Sequence, residues 1–293
     1  MSRSALVLEM TPRLAAIDVN NLTFTYLGSQ KPSVANVTFS INRGQFVVLT
    51  GPSGCGKTSV CRCLNGLIPH FYSGELHGDV VVCGLDIRQC PTSELSKKVG
   101  FVFQNPENQL FSLSVERDVA FGPENLGLSR AETRERVEWA LQVTGISSLR
   151  HRAPYEVSGG QQQRAAIAAV LAMKPEVMVL DEPTSFLDPR SAAEILKVVH
   201  SLNRQMGITI VLVEHRLDLA SQYADRIIIM DAGKVILDGK PSEVYNERAR
   251  LIGVGIPRIT FLAQLLQKEG MPFPTIPVTV EEASSLLRRS LGS

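Results

Sequence analysis

Residues 46–60 read FVVLTGPSGCGKTSV, and their reading decides the fold. Phe46-Val47-Val48-Leu49 is an unbroken apolar, β-branched run, the mark of a strand buried on both faces. Gly51–Ser59 follows at once with the spacing G-x-x-x-x-G-K-[ST], and a helical pattern comes after it. Glycines at 51, 54 and 56 let the backbone of this loop, which also holds Pro52, Ser53 and Cys55, turn its N–H groups inward around phosphate oxygens, Pro52 having none to give. The helix beginning near Lys57 aims its positive end at the same charge. Lys57 is placed to reach β- and γ-phosphates, and the Thr58 hydroxyl, with Ser59 beside it, to bind Mg²⁺. The competing reading is a glycine-rich strand–helix turn with a chance lysine, which the flanking strand and helix argue against.

Two more buried runs, Val177–Leu180 and Ile208–Val213, alternate with helical patterns, so the core is expected to be a mostly parallel, helix-covered sheet. Ile17, Val19, Leu22, Phe24 and Tyr26 alternate as a strand with a break at Asn20-Asn21. A second strand is expected around Val37–Ile41, after a turn at Gly28–Pro32. Arg226–Met230 and Val235–Leu237 read as a closing hairpin about Asp231-Ala232-Gly233-Lys234. From about Ser114 to Met173 the pattern is helical, and Ser129–Glu132 is a capping box whose helix buries Val137, Ala140 and Leu141. Beyond Pro241 come Pro/Gly turns and two short helices. Ile259, Leu262, Leu265 and Leu266 are expected on one face of the first. Thr279–Glu282 caps the second, which carries Leu286 and Leu287. So small a unit is expected to pack on the main domain or on another subunit. With no long internal repeat, the chain carries one nucleotide-binding unit.

The 293 residues are 44% hydrophobic and 20% charged, with a net charge of +1, so no strong field draws the chain to nucleic acid or anionic lipid. No run approaches the roughly 18 apolar residues of a membrane span; Ala165–Met173 is the longest candidate. The opening MSRSALVLEMTPR makes a poor signal peptide. The five cysteines, Cys55, Cys61, Cys63, Cys83 and Cys90, lack a second pair at metal-ligand spacing and read as reduced packing residues of a cytosolic protein.

Val177-Met-Val-Leu-Asp181-Glu182 is a buried strand ending in two carboxylates. Asp181 is placed to hold Mg²⁺ at the strand's C-terminal edge, and Glu182 to polarise a water beside the γ-phosphate. The glycine loop alone leaves kinases, GTPases and transport ATPases open. At Val157-Ser158-Gly159-Gly160-Gln161 a second anion site emerges. Ser158 and Gln161 form an S-x-x-Q capping box on the alanine-rich helix Arg164–Met173, and two glycines allow close backbone approach.

With this stretch, the glycine loop, Asp181-Glu182 and His215 in that family's order, the sequence resembles the ATP-binding cassette (ABC) ATPases from Leu14 to Pro241. Val157 departs from a usual leucine. The resemblance implies an α/β P-loop NTPase fold with a RecA-like, mostly parallel sheet core, an N-terminal antiparallel β subdomain and an inserted helical subdomain at about 107–173. A small helical unit at 242–293 would then support a dimer. It further implies two ATPs sandwiched head to tail, each between one subunit's P-loop and Ser158–Gln161 of a second ATPase subunit, a copy or a paralogue. Residue by residue, Tyr26 matches the aromatic that stacks on adenine, although a plain core tyrosine is an alternative. His215 matches the switch histidine that bonds the γ-phosphate, and Ser185–Asp188 the segment joining the two sites. Gln104 can reach Mg²⁺ and the attacking water.

One cassette and no long coiled coil fit a transport motor better than the soluble translation-factor or DNA-repair relatives. Gln104–Phe111 and Leu64–Tyr72 look like the corresponding segments of energy-coupling factor (ECF) transporter ATPases. These motors work at the cytoplasmic face of the membrane with a transmembrane coupling protein and a substrate-binding membrane subunit, and take up vitamins, vitamin precursors, cobalt or nickel. Pro106, lacking the N–H a ladder needs, ends the Phe101–Phe103 strand. On that resemblance Asn108–Phe111 begin a short helix, with Gln109 in it, that presents Leu110 and Phe111 to the membrane partner, and Glu107 meets a basic residue there. Another importer class, a soluble ABC protein acting on nucleic acid or ribosomes, and a small-molecule P-loop kinase are the alternatives.

Overall fold

The computed structural model describes residues 15–271 and 273–291, so the expected domain start at Leu14 and the stretch MSRSALVLEMTPR lie outside the described residues. Two sheets organise the molecule. The first is antiparallel, in the order β2-β1-β4-β5, from β1 (Ala15–Tyr26), β2 (Val34–Asn42), β4 (Gly74–Val82) and β5 (Leu85–Asp86). The second has the order β10-β9-β3-β8-β7-β6, from β3 (Phe46–Thr50), β6 (Val99–Val102), β7 (Val177–Asp181), β8 (Thr209–Val213), β9 (Arg226–Asp231) and β10 (Lys234–Gly239). Its neighbours from β9 through β6 run parallel, and β10 closes the edge antiparallel to β9.

Every residue of β3, β7 and β8 is buried, as the apolar runs require. The pleat divides them between two cores. Val47, Leu49, Val177, Val179, Val211 and Val213 join Ile17, Phe24, Ile41 and the helix Lys57–Leu64 on the side of the antiparallel sheet. Phe46, Val48, Met178, Leu180, Ile210 and Leu212 face a helical layer that includes Val115–Asn125, Arg130–Val143, Gly159–Leu171 and Pro189–Met206. Val244, Tyr245, Ala249, Val254 and Val278 extend this second core into the C-terminal segment.

Three expectations are corrected. β1 is not broken at Asn20-Asn21: the register slips between Val19 and Leu22, and Asn21 takes a φ of 50°, so a bulge keeps the ladder to β2 and β4 intact. Asparagine tolerates that left-handed turn. β6 stops at Val102, one residue short of Phe103. On the helix Arg258–Lys268, the buried residues are Thr260 and Ala263, while Leu262 and Leu265 stay exposed. Thr260 faces inward because its hydroxyl donates to the Pro277 carbonyl at 2.8 Å. The hairpin turn is as expected, with Ala232 and Gly233 both at positive φ.

Candidate active site

The glycine loop leaves the C-terminal end of β3 and is fitted tightly against its neighbours. Gly51 has a φ of +148°, and a Cβ there would sit 2.1 Å from the Met230 carbonyl oxygen at the end of β9. At Gly56, φ +102°, it would sit 2.4 Å from the Ser33 carbonyl oxygen. These glycines are required by close backbone approach as well as by rotation. Lys57 is buried, with its Nζ donating to the Gly51 and Pro52 carbonyls at 2.9 Å each. Pro52, Ser53, Gly54, Thr58 and Ser59 continue the loop into its helix. Burial pushes the Cys55 thiol up, against the opposing pull of Lys57, so it stays a neutral filler beneath the loop at neutral pH.

Tyr26 ends β1 directly beside this loop. Its hydroxyl lies 3.1 Å from Ser59 Oγ and accepts from Arg62 Nη1 at 3.1 Å. Arg62 also stacks over the Tyr72 ring, 4.3 Å from its centre, and Tyr72 meets Tyr26 edge-on. An aromatic corner braced by a guanidinium thus stands next to the phosphate cradle.

Asp181 closes β7 and Glu182 follows it. Asp181 is buried with its Oδ1 unpartnered, and burial pushes its carboxyl above the usual carboxylate range, against the pull of the Thr58 hydroxyl. A buried carboxyl with one orphaned oxygen, beside the Thr58 hydroxyl, suits Mg²⁺, which takes few protein ligands and completes its shell with phosphate and water. Glu182 has a φ of 50°, a strained backbone of the kind that persists where surroundings over-determine it. Its Oε2 accepts from Gln104 Nε2 and from the Ser185 hydroxyl at 2.9 Å each. Its Oε1 lies 3.0 Å from His215 Nε2. The structure therefore brings Gln104, Glu182 and His215 into one hydrogen-bonded cluster.

Ser158 caps the helix Gly159–Leu171, and with Gln161 forms the capping box; Ser158 and Gly159 are exposed and Gly160 half-buried. Asp188 caps the helix Pro189–Met206, its Oδ1 accepting from the Arg190 and Ser191 N–H groups, and these bonds with the Ser191 side chain first hold its carboxyl below the usual range.

The Gln104–Phe111 segment differs from expectation. The short helix is Pro106–Asn108, of 3-10 type and capped by Asn105, so no helix begins at Asn108. Leu110 is 7% exposed and belongs to the helical-side core, so it is not presented outward. Gln109 is held back too: its amide donates to the Phe101 carbonyl and accepts from the Phe103 N–H, continuing the pairing that β6 abandons. Phe111, 67% exposed, packs edge-on against Phe121, and Leu113 and Tyr155 are more exposed still. Glu107, Phe111, Leu113, Pro154, Tyr155 and Gln162 rim a cavity of about 510 Å³. Sequence reading passed over Leu113, Phe121, Tyr155 and Arg62, and took Tyr72 only as the end of the Leu64–Tyr72 stretch. Leu113 lies in a loop, where no periodicity betrays an apolar residue, Phe121 sits exposed on the helix Val115–Asn125 and Tyr155 in a single 3-10 turn, and the Arg62–Tyr26 bond spans two distant segments.

The ABC transporter family model matches residues 34–185. A putative ABC transporter ATP-binding protein of Pyrococcus horikoshii is 46% identical over 257 residues, covering 87% of this chain and 90% of that protein. The energy-coupling factor transporter ATP-binding protein EcfA1 of Clostridium perfringens is 41% identical over 278 residues, covering 92% and 97%. The solved structure of cbiO1 from Clostridium perfringens, part of the ABC transporter complex cbiONQ, aligns with a TM-score of 0.73 and 34% identity over 86% of this chain and 99% of its own. The dimeric cassette MJ0796, in a post-hydrolysis state bound to ADP and Pi, aligns with a TM-score of 0.66 and 30% identity over 76% and 98%. With a family match across more than half of its length and relatives this similar over most of it, the chain belongs to the ABC transporter family and is one of its ATP-binding ATPases.

Proposed function

We propose that this ATPase is the motor subunit of an ECF-type importer. It binds two ATPs at a head-to-tail dimer interface and couples their hydrolysis to uptake of a vitamin, a vitamin precursor or a transition-metal ion through separate membrane subunits. The carrying observation is the Gln104–Phe111 segment. One end bonds Glu182 at 2.9 Å, and the other ends in an exposed phenylalanine beside a surface cavity. A shift at the cavity would be felt at the carboxylate within eight residues of chain. Likeness to EcfA1 and to cbiO1 supports the ECF assignment, and likeness to the MJ0796 dimer supports the paired arrangement. Among the described residues no helix is long and apolar enough to cross a membrane, so passage of the cargo falls to other subunits in this reading. The dimer partner is a second copy or a paralogue, and the motor works at the cytoplasmic face.

In the proposed chemistry the loop N–H groups and Lys57 bind the β- and γ-phosphates, and Tyr26 stacks on the base. Thr58 and Asp181, with Gln104 near, would hold Mg²⁺, which when bound neutralises charge on the phosphates. Glu182 accepts a proton from water as that water's oxygen attacks the γ-phosphorus. The bond to the β–γ bridging oxygen breaks, and ADP and inorganic phosphate leave. His215 and Gln104, both bonded to Glu182, orient its carboxylate. Ser158 to Gln161 of one subunit would close over the γ-phosphate held by the other, with Asp188 at the seam. Co-expression with the membrane proteins of neighbouring genes and purification in detergent tests the assignment. A stoichiometric complex whose cargo transport requires ATP is expected; a chain that stays soluble and alone would remove the transporter reading.

A further inference from the structure

We infer that Glu214 is a positioning residue that locks the turn carrying His215 to the turn carrying Glu182, an inference that rests on the catalytic roles proposed above. Glu214 follows β8 and is 1% exposed. Its Oε1 accepts from the His215 N–H at 2.8 Å and the Arg216 N–H at 2.9 Å. Its Oε2 accepts from the Thr184 hydroxyl at 2.5 Å. Thr184 is itself fully buried and lies two residues past Glu182, in the turn that the Ser185 N–H closes onto the Glu182 carbonyl.

Each oxygen of this carboxylate therefore serves a different turn. One gathers the two N–H groups that set the path of the chain at His215. The other ties that path to Thr184, in the turn that follows Glu182, so the two turns keep a fixed separation. All three hydrogen-bond partners are neutral donors, and among the described residues Glu214 makes no salt bridge, so the site desolvates a carboxyl group without a paired cation. An apolar residue would fill the same space at lower cost, which leaves alignment as the property that the carboxylate supplies. The alignment it sets is the 3.0 Å separation of His215 Nε2 from Glu182 Oε1. A second tie runs parallel to it, from Arg216 Nη2 to the Leu187 carbonyl at 2.8 Å. Glu214 touches neither nucleotide nor water in this scheme and acts through His215.

Two variants test the inference on the full-length chain with Mg-ATP. Glu214→Gln keeps the volume and one acceptor oxygen, and Thr184→Val removes a single bond. Both are expected to lower kcat by about tenfold, since misplacement of reacting groups by a fraction of an ångström has effects of that order, while the dissociation constant for ATP stays within about twofold. Melting temperature monitors folding. In the His215→Ala background, where the aligned side chain is gone, Glu214→Gln should change kcat by less than about twofold. Unchanged kcat in folded Glu214→Gln and Thr184→Val proteins overturns the inference. So does an undiminished tenfold effect on the His215→Ala background, which would make Glu214 a structural residue independent of the histidine. If His215→Ala itself turns over ATP at the wild-type rate, the proposed role of His215 fails first, a result scored separately from the Glu214 variants.

Discussion

Replacing Leu110 and Phe111 in turn separates the two faces of the segment proposed to link ATP to the membrane partner. Leu110 is buried among core residues that include Val115, Val119 and Ile167, so Leu110→Ala removes apolar contacts and leaves a void. Such truncations cost about 2–5 kcal/mol, and the neighbouring surface cavity lets this site relax, so the lower half, about 2–3 kcal/mol, is expected. For a chain of this size that lowers the melting temperature by about 4–12 °C. Phe111→Ala loses one edge-on contact with Phe121, worth about 0.5–1.5 kcal/mol, because most of the ring already faces solvent. Its melting temperature should fall by no more than about 6 °C. The assay pairs thermal unfolding followed by circular dichroism with cargo-coupled ATP turnover in the purified complex. Leu110→Ala should be the thermally weaker protein with coupling preserved below its melting point. Phe111→Ala should be the stabler one with coupling impaired. A Leu110→Ala protein that melts at the wild-type temperature yet fails to couple would refute the assignment of that side chain to the core.

Tyr26→Ala should weaken ATP binding about tenfold by loss of base stacking and leave tripolyphosphate binding unchanged; equal weakening of both would disconnect Tyr26 from the base. Gly51→Ala, whose Cβ would meet the Met230 carbonyl, should abolish ATP binding measured by calorimetry, whereas Gly54→Ala, with nothing within 4 Å, should lose only about 1 kcal/mol from its positive φ. Comparable losses at both would contradict the steric argument. Glu176 bonds Lys98 and Arg43, which hold its carboxyl below the usual range, so its contribution to stability is full above the unfolded pKa near 4.3 and disappears as pH falls through the lower folded value. Glu176→Gln should therefore cost up to about 1 kcal/mol at pH 7, a modest figure because the pair is partly solvated, and nothing at pH 2, as read by urea unfolding. A difference that persists into acid would assign the effect to packing.

What was legible in the sequence followed from local rules. The buried runs at β3, β7 and β8, the glycine loop and the capping boxes at Ser129 and Ser158 each rest on neighbouring residues, and each forms in the structure. What escaped depends on pairing across long separations. The third antiparallel strand, β4, has alternating Leu76, Val80 and Val82, but a glycine at 78 interrupts its pattern. Leu110 and Leu262 have the same composition as their surroundings, and only the neighbouring elements decide which faces inward. The buried Glu214 reads as a polar residue at the end of a strand until Thr184 is seen against it. For Gln104 the sequence reading expected contact with Mg²⁺ and the attacking water, and the structure bonds its amide nitrogen to the Glu182 carboxylate.

The role of Glu182 as the group that takes the proton from water is tested most directly by phosphate release from Glu182→Gln under single-turnover conditions, with ATP binding measured on the same preparation. Glutamine keeps the volume and one acceptor oxygen for Gln104 and Ser185 but removes the basic carboxylate. The variant is expected to bind ATP within about threefold of wild type, to form an ATP-dependent dimer, and to release phosphate at least about 100-fold more slowly. Phosphate release at the wild-type rate from a variant that binds ATP normally would contradict the account.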